Sequence, residues 1–252
     1  MTTVERRGLD SITVGSIVLA VGLALGGLFA GNGFARVRAT DRFVSVKGIS
    51  EREVRADLAI WPLRFVAADN DLGRAHSALQ ASTKQVLEFL ARQQIDTSDA
   101  ALLDFAVSDA YANQYGGSER SATRYVIRQT IVVRSTKPEL VLAASQRVAE
   151  LVTAGVVLSS GGEYGPGGGG PTFVFTGLNA LKPQMIGDAT ARAREAAEQF
   201  ARDSRSALGG IRQANQGVFE ILPRDQAPGI SQESQIVKTV RVVSTVEYFL
   251  KD

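Results

Sequence analysis

An uninterrupted apolar stretch near the amino terminus constrains this chain more than any other feature. Residues 12–30 carry no charged side chain, and no ionisable group lies between Asp10 and Arg36. At the helical rise of about 1.5 Å per residue, these nineteen residues cover roughly 28 Å, close to the hydrocarbon thickness of a bilayer. The stretch therefore predicts a transmembrane helix. It assigns the rest of the chain to a compartment beyond a membrane or at its surface.

Two fates of this segment fit the sequence. The apolar run exceeds the about 7–15 residues of a typical secretory h-region, which favours an uncleaved anchor. Gly33 and Ala35, in contrast, place small residues at the −3 and −1 positions of a candidate cleavage site after Ala35. A buried core helix is a third interpretation, which the lack of an amphipathic period disfavours. We predict an N-terminal membrane anchor or signal segment over 1–35 and a domain over 36–252.

The charges that flank the apolar stretch do not determine its orientation in the membrane. Arg6 and Arg7 precede it, whereas Arg36, Arg38 and Arg42 follow it, so the positive-inside rule does not decide the topology. Because the stretch begins so near the amino terminus, we expect the C-terminal part to be exported. The prediction is a single-pass inner-membrane protein with its C-terminal domain in the periplasm. Cleavage of the segment would instead give a soluble periplasmic protein.

Composition excludes several classes of function. The net charge is +2 and the charges are interspersed, so no basic stripe marks a nucleic-acid interface. The chain has no cysteine, which rules out disulfides, thiolate catalysis and cysteine-ligated metals. An exported chain without disulfides is stabilised by its core or by oligomerisation. We therefore expect the membrane and further copies of the chain as partners, and no nucleic acid; the ligand, if any, is unknown.

Hydrophobic periodicity predicts pairs of strands that alternate with single helices. The predicted order is ββαββαββαββ. This is an α+β fold in which paired antiparallel strands alternate with helices layered on the sheet, preceded by one N-terminal transmembrane helix. The strands are predicted at 43–48, 53–67, 102–111, 125–134, 156–163, 172–177, 213–221 and 236–250, and the helices at 71–94, 136–155 and 180–208.

Local signals predict the turns and the helix ends. Residues 48–51 are expected to form the first turn, 136–139 have the form of a capping box, and Gly209-Gly210 is expected to end the third helix. Pro62 falls inside the second strand. It is expected at an edge, at a bulge, or where its missing donor is harmless. In the last strand one face is predicted to carry Ile236, Val240, Val242, Val246, Tyr248 and Leu250.

No motif predicts a catalytic, cofactor-binding or metal-binding residue. The glycine-rich segment 164–171 lacks the Gly-Lys-Ser/Thr ending of a P-loop and precedes a strand. We interpret it as a long hairpin tip, with a contact surface as the alternative. His76, the one histidine, lies on the first predicted helix without a triad or metal partner, and we expect it to be partly exposed. Residues 112–122 are expected to form a flexible hairpin loop.

Charged and aromatic clusters have structural interpretations beside functional ones. Glu51 and Glu53 share a strand face, where surface ion pairs are expected in preference to a metal or acid–base site. On the third helix, Glu198 and Arg202 are expected to pair on the solvated face. The opposite face of that helix has small residues that suit packing on a sheet, namely Ala189, Ala193, Ala196, Ala197 and Ala201, together with Phe200. Five aromatic residues are expected at core or cross-strand positions, with interface or ligand contact as the alternative, namely Trp61, Phe65, Tyr111, Tyr115 and Tyr125.

Four local features of the sequence carry a family resemblance. They are VSVKG at 44–48 followed by a long strand, YVIRQTIVV at 125–133, ATARAREAAEQFA at 189–201, and the terminal strand. Together with the layout of strands and helices, these features resemble the SIMPL-domain family of exported bacterial proteins. The resemblance covers about residues 42–251, and the alanine–arginine helix string is its most specific part. The chain departs from the family pattern at Ala56-Asp57, at Pro62 and in its enlarged glycine-rich tip.

The resemblance implies a periplasmic or envelope protein. Some members are linked to oxidative-stress tolerance, at least one forms a large ring-like homo-oligomer, and the family brings no catalytic residues to transfer. We therefore expect a non-enzymatic, membrane-attached scaffold or binding module in envelope or oxidative stress defence. One alternative is an accessory subunit of an inner-membrane complex, in which Gly22 and Gly26 permit close helix packing. Another is an enzyme with an unrecognised carboxylate site.

Overall fold

The N-terminal apolar stretch is described only in part. The computed structural model describes residues 15–16, 19–29, 42–112, 123–159 and 170–251. Residues 19–29 are helical. Among the described residues, no helix combines the length and the hydropathy needed to cross a membrane. The transmembrane helix over 12–30 remains a prediction, and the candidate cleavage site after Ala35 lies outside the described residues.

The described residues fold into an α+β structure with antiparallel sheets, which confirms the predicted class. Short 3-10 turns at Thr97–Asp99 and Gln232–Ser234 join some of the elements. The strands and helices, in chain order, are β1 (Phe43–Arg55), β2 (Leu58–Asp69), α1 (Leu72–Arg92), β3 (Ala100–Asp109), β4 (Tyr125–Ser135), α2 (Pro138–Gln146), α3 (Ala149–Thr153), β5 (Val157–Leu158), β6 (Thr172–Val174), α4 (Leu178–Asp203), β7 (Ala207–Gln216), β8 (Glu220–Pro223) and β9 (Val237–Lys251).

Strand β1 differs from the prediction because it continues through the expected turn at 48–51. The two strands are separated instead at Ala56 and Asp57, and they lie in different sheets rather than pairing with each other as predicted. There the Ala56 N–H donates to the Ile236 carbonyl oxygen at 2.8 Å, and the Asp57 carboxylate accepts from the Thr176 N–H at 2.9 Å. This junction is therefore fixed by hydrogen bonds to segments distant in sequence. A local glycine signal could not reveal it, and the predicted turn is wrong.

The predicted second helix is divided into α2 and α3. Helix α2 begins at Pro138 without a side-chain cap, so the expected capping box is wrong; Glu139 instead forms an ion pair with Arg55 at 2.8 Å. At the break, the Arg147 N–H donates to the Ala144 carbonyl oxygen at 3.0 Å. This i→i−3 hydrogen bond interrupts the α-helical ladder.

The C-terminal region contains three strands where two were predicted. Helix α4 ends at Asp203, and Gly209-Gly210 lies inside β7 rather than ending the helix. A Cβ on Gly209 would lie 2.8 Å from the Phe249 carbonyl oxygen, so the close approach of β9 requires a glycine there. The strand predicted over 213–221 is interrupted at 217–219, which separates β7 from β8.

Two compact units make up the chain. Met1–Ile49, Gly187–Gly217 and Val243–Asp252 form the first unit, and Ser50–Ile186 and Val218–Val242 form the second. One sheet has the strand order β1-β9-β7, with β8 also pairing with β9. The other sheet lies in the second unit and has the order β3-β4-β2-β5, with β6 also pairing with β2.

The core of the second unit forms where helix α1 packs on strands β2 and β4. Successive side chains of a strand point to opposite faces, and in β2 the alternate residues Trp61, Leu63 and Phe65 are buried. Trp61 contacts Phe89 of α1 edge to face, with ring centroids 6.5 Å apart. Such a pair contributes about 1 kcal/mol beyond its buried area. The expected core positions of Trp61 and Phe65 are confirmed.

Among the described residues, Pro62 has a strand partner on only one side of β2. On the β4 side, β2 is paired from Ala59 to Asp69; on the other side, β6 pairs with Leu58–Ile60 and β5 with Phe65 and Val66. The Arg64 carbonyl oxygen accepts from the Ser159 N–H at 2.9 Å, so the backbone of Arg64 faces this second side. By alternation, the backbone of Pro62 faces the same side, between the two short strands. Its missing donor is therefore harmless, which confirms one of the expected alternatives.

In the first unit, strand β1 touches the backbone of helix α4 at Gly48. A Cβ at this position would collide with the Ala189 carbonyl oxygen and would lie 2.5 Å from the Ala193 nitrogen. Ala189 and Ala193 are themselves buried, as is Ala197 one turn further on. The small face predicted for this helix thus allows close packing. Phe200 was expected on that face, but its exposed fraction is 58%, and it points away from the packed surface.

We predict that Gly48→Ala destabilises the protein by about 1–3 kcal/mol, the usual cost of overpacking a rigid contact. The added methyl group meets backbone atoms, which cannot move aside as a flexible side chain could. Gly187→Ala is the matched control, because a Cβ on Gly187 of α4 has nothing within 4 Å. That substitution should raise stability by up to about 1 kcal/mol through helix propensity. Urea unfolding measures both; equal effects would contradict the packing argument.

Candidate functional site

Strand β3 forms an open edge of the five-stranded sheet. Among the described strands it pairs with β4 alone, and most of its side chains are exposed although they are apolar. The exposed set consists of Leu102, Leu103, Phe105 and Val107. The Ala110 N–H donates to the Arg124 carbonyl oxygen at 2.8 Å, so alternation directs the backbones of Val107 and Asp109 away from β4. The Asp109 carbonyl oxygen already accepts from the Ala112 N–H at 3.2 Å, so the Asp109 N–H and the backbone of Val107 are the groups that an added strand would contact.

A bulge near Asp104 places two apolar side chains on one face of β3. The register shifts between Leu103 and Ala106, and Asp104 has a φ of 52°. Leu102 lies opposite the buried Ile131, on the face that carries α1. Past the bulge, Phe105 joins Leu102 in an open groove of about 430 Å³, which is also lined by His76, Leu79, Gln80, Thr83 and Gln129. The bulge thus concentrates apolar surface at the sheet edge.

Arg124 holds the far end of the β3–β4 hairpin together. Its guanidinium pairs with Asp109 at 3.1 Å and lies over the rings of Tyr125 and Tyr111, 4.8 and 5.6 Å from their centroids. The hydrogen bond from Arg124, with a second from the Tyr111 N–H, lowers the pKa of Asp109. The Arg124 N–H also donates to the Asn70 side chain at 2.9 Å. These contacts fix where β3 ends and keep its edge extended.

Lys238 of β9 is a buried cation that the sequence patterns did not single out. Its side chain is 1% exposed, and its Nζ donates to the carbonyl oxygen of Gln232 in the 3-10 turn. Burial lowers the pKa of Lys238, and the nearby Glu233 carboxylate opposes that shift. The signal was present in the sequence, because Lys238 falls between Ile236 and Val240 on the face predicted to be apolar. Its contact with Gln232 fastens the turn before β9.

Comparison with protein families places most of this chain in one family. Residues 44–248 match the family model SIMPL, whose description is "Protein of unknown function (DUF541)". The chain belongs to the SIMPL family. The resemblance to this family found in the sequence is therefore confirmed. The matched range includes β3, the Arg124 cluster and Lys238. A search of curated proteins finds no match.

The residues singled out in the SIMPL sequence do not converge on one place. His76 is exposed on α1, as expected, and lies beside the edge groove. Tyr111, expected as a core or cross-strand residue, has an exposed fraction of 58% and contacts Arg124 instead. Tyr125 is half-buried and packs against the core, as expected. Tyr115 lies outside the described residues.

Two of the candidate carboxylates lie in surface ion pairs, whereas Glu53 is exposed and takes part in no ion pair among the described residues. Glu51 pairs with Arg241 at 3.4 Å, which confirms the expected surface pairing. Glu198 pairs with Arg194 at 3.2 Å, so the expected pair with Arg202 is wrong; Arg202 donates to Gln199 at 2.7 Å. Among the described residues, no group of three His, Asp or Glu side chains is arranged to hold a metal ion.

Two predicted loops fall largely outside the described residues. Of the hairpin loop 112–122 only Ala112 is described, and of the glycine-rich tip 164–171 only Gly170 and Pro171. Their interpretation as long hairpin connections remains a prediction. Beside them, the predicted strands 156–163 and 172–177 are represented by the shorter β5 and β6.

We predict that Lys238→Met folds normally, with a free energy of unfolding at neutral pH within about 1 kcal/mol of the wild type or above it. The pKa of Lys238 is lower in the folded state than in the unfolded state. Between the lowered pKa and about 10.4, only the unfolded state binds this proton, so wild-type stability should rise with pH relative to Lys238→Met.

Urea unfolding at a series of pH values measures this difference. Lys84→Met, which removes an exposed lysine from α1, is the control for the loss of one lysine side chain. Parallel stability curves for the wild type and Lys238→Met would contradict the prediction.

Proposed function

We propose that this SIMPL protein is a non-enzymatic, membrane-attached periplasmic protein. In this proposal it works as a homo-oligomeric scaffold or binding module in envelope or oxidative stress defence. Membrane attachment and export rest on the uncharged residues 12–30. The stress role rests on the resemblance to SIMPL members linked to oxidative-stress tolerance. The observation that carries the proposal is the open, apolar edge of β3.

The edge of β3 is suited to accept a strand. Exposed strand edges normally carry charges, prolines or covering loops that prevent uncontrolled pairing. Strand β3 has one such charge, Asp104 at its bulge, but otherwise exposes Leu102, Phe105 and Val107 on one face and Leu103 on the other. A second copy presents the same edge, so antiparallel pairing about a two-fold axis would join two sheets through backbone hydrogen bonds. Apolar side chains on both faces would then be covered together.

The non-enzymatic part of the proposal rests on the sequence and on the family. The chain has no cysteine. Its one histidine, His76, is exposed, and the sequence around it shows no triad motif. Glu51 and Glu198, which an unrecognised carboxylate site could have used, are engaged with arginines. The family resemblance brings no catalytic residues.

A second candidate function is that of an accessory subunit in an inner-membrane complex. Gly22 and Gly26 lie about one turn apart in the helical residues 19–29, and a Cβ on either has nothing within 4 Å. Small residues at this spacing let two helices approach closely in a bilayer. This function would place the specific contact in the apolar helix. Self-association through β3 would then be unnecessary.

We predict that Phe105→Lys lowers the mass of the assembly formed by the full-length chain. A charge in the middle of the apolar edge opposes strand pairing, as charges on natural edge strands do. Phe200→Lys is the matched control, because Phe105 and Phe200 have exposed fractions of 54% and 58% and lie on different elements. Light scattering in a neutral detergent measures the mass. An unchanged mass for Phe105→Lys, or a monomeric wild type, would contradict self-association through β3.

We predict that the N-terminal segment remains attached in the cell, because the run 12–30 is longer than a typical h-region. Mass spectrometry of protein from the membrane fraction should find the N-terminus at or near Met1. A protein that begins at Arg36 and appears in the soluble periplasmic fraction would replace the anchor with a cleaved signal.

A further inference from the structure

The face of the five-stranded sheet opposite α1 displays three arginines. Trp61, Leu63 and Phe65 of β2 point to the α1 side, so the alternate residues of β2 and their partners on β4 point the other way. Arg64 lies on β2, whereas Arg128 and Arg134 lie on β4, opposite Val66 and Ile60. All three arginines are exposed. We call this surface the arginine face.

No carboxylate balances the charge along the two strands of the arginine face. The one acidic residue of β2 and β4 is Asp69, which by alternation belongs to the α1 side and pairs with Arg74 at 2.9 Å. Within the described ranges, Arg64, Arg128 and Arg134 take part in no ion pair, although most exposed arginines nearby do, such as Arg55 and Arg124. The arginine face therefore offers three unpaired cations.

Apolar side chains separate the three cations. Ile60, Pro62 and Val66 of β2 and Val126 and Val132 of β4 are half-buried on the same face. Arg128 is a diagonal neighbour of Arg64, two residue pairs away in strand register. Arg134 lies four residue pairs from Arg64 in the opposite direction along the strands. At about 3.3 Å per residue, the arginines are spaced about 7 and 13 Å apart along the strands. A partner that fits this face must combine carboxylates at these spacings with apolar surface.

Charge complementarity excludes a second copy placed face to face. A two-fold interface would set the arginine face against itself and bring like charges together without counter-charges. Single-stranded nucleic acid needs aromatic stacking platforms, and this face of β2 and β4 carries none. A lipid surface is usually bound by protruding Trp, Phe or Leu side chains. The valine, isoleucine and proline side chains here are short and half-buried, which suits contact with a packed protein segment.

We infer that the arginine face docks an amphipathic helical segment of another protein that carries carboxylates along its apolar edge. Carboxylates at every fourth residue of a helix recur about every 6 Å. One such step matches the spacing between Arg64 and Arg128. Two steps match the spacing between Arg64 and Arg134. The guanidinium groups hold the carboxylates, and the apolar side chains of the two strands bury the stripe between them. This docking uses a different surface from the β3 edge and goes beyond self-association.

Binding of a synthetic peptide to the full-length chain tests this inference. The probe is a labelled helical peptide with Glu at every fourth position beside Leu and Ala, and its matched control has Gln in place of Glu. Fluorescence anisotropy in a neutral detergent measures the affinity. The Glu peptide should bind more tightly than the Gln peptide. The combined Arg64→Gln, Arg128→Gln and Arg134→Gln variant should lose roughly tenfold in affinity, as expected for three surface charge contacts.

A charge-matched variant separates the arginine face from net charge. Lys84→Gln, Arg92→Gln and Arg205→Gln together remove the same charge from exposed positions elsewhere and should leave peptide binding unchanged. Absence of binding to the wild type, or equal loss in both variants, would overturn the inference. Soluble dihexanoyl phosphatidylglycerol and oligothymidylate test the other partners. If either binds through the three arginines and the peptide does not, the arginine face is assigned to lipid or nucleic acid, and the proposal of a protein partner is overturned. Light scattering should give the triple variant its wild-type mass, which separates this result from failure of self-association.

Discussion

The alternation of side chains along strand β2 is the constraint on which the second unit depends. Trp61, Leu63 and Phe65 enter the core against α1, while Arg64 and its even-numbered neighbours face the other way. Each large side chain buried here contributes about 1.5–3 kcal/mol. A register slip of one residue would exchange the two sets, exposing the aromatics and burying an arginine. Burial of the core side chains therefore fixes the register of β2, and that register determines which side chains lie on the opposite face of the sheet.

Helix α1 covers less surface than the sheet offers. It packs on β2 and β4, and the apolar layer continues past its flank to Leu102, Phe105 and Val107 of β3. At the far end of that strand, Arg124 and Asp109 hold the hairpin in place, so the uncovered edge is supported by ordered contacts. The second unit thus presents an apolar edge and a basic face. A scaffold needs such separate surfaces if one joins copies and the other recruits a different protein.

Periodicity in the sequence was sufficient for the fold class and for the positions of most elements, because both follow from side chains that alternate or recur along one segment. It also placed Trp61 and Phe65 in the core and the alanine face of α4 against the sheet. It failed at Gly48 and Gly209, where glycine is required by the approach of a backbone distant in sequence rather than by a turn. The edge groove was missed for a related reason. Alternating apolar residues predict a covered strand, and only the sheet order reveals that β3 has no second neighbour among the strands that the structure describes.

Because of Pro62, the two edges of the five-stranded sheet differ in their ability to pair with a further strand. The side of β2 away from β4 is occupied by β5 and β6, which are two and three residues long, and the gap between them presents a proline without a donor. Short edge strands and proline both prevent templated pairing. A chain that joined another through β3 would therefore offer no equivalent edge on its far side. Strand addition through β3 would stop at a closed pair, and the five-stranded sheet would not continue into an endless fibre, the usual hazard of an apolar edge.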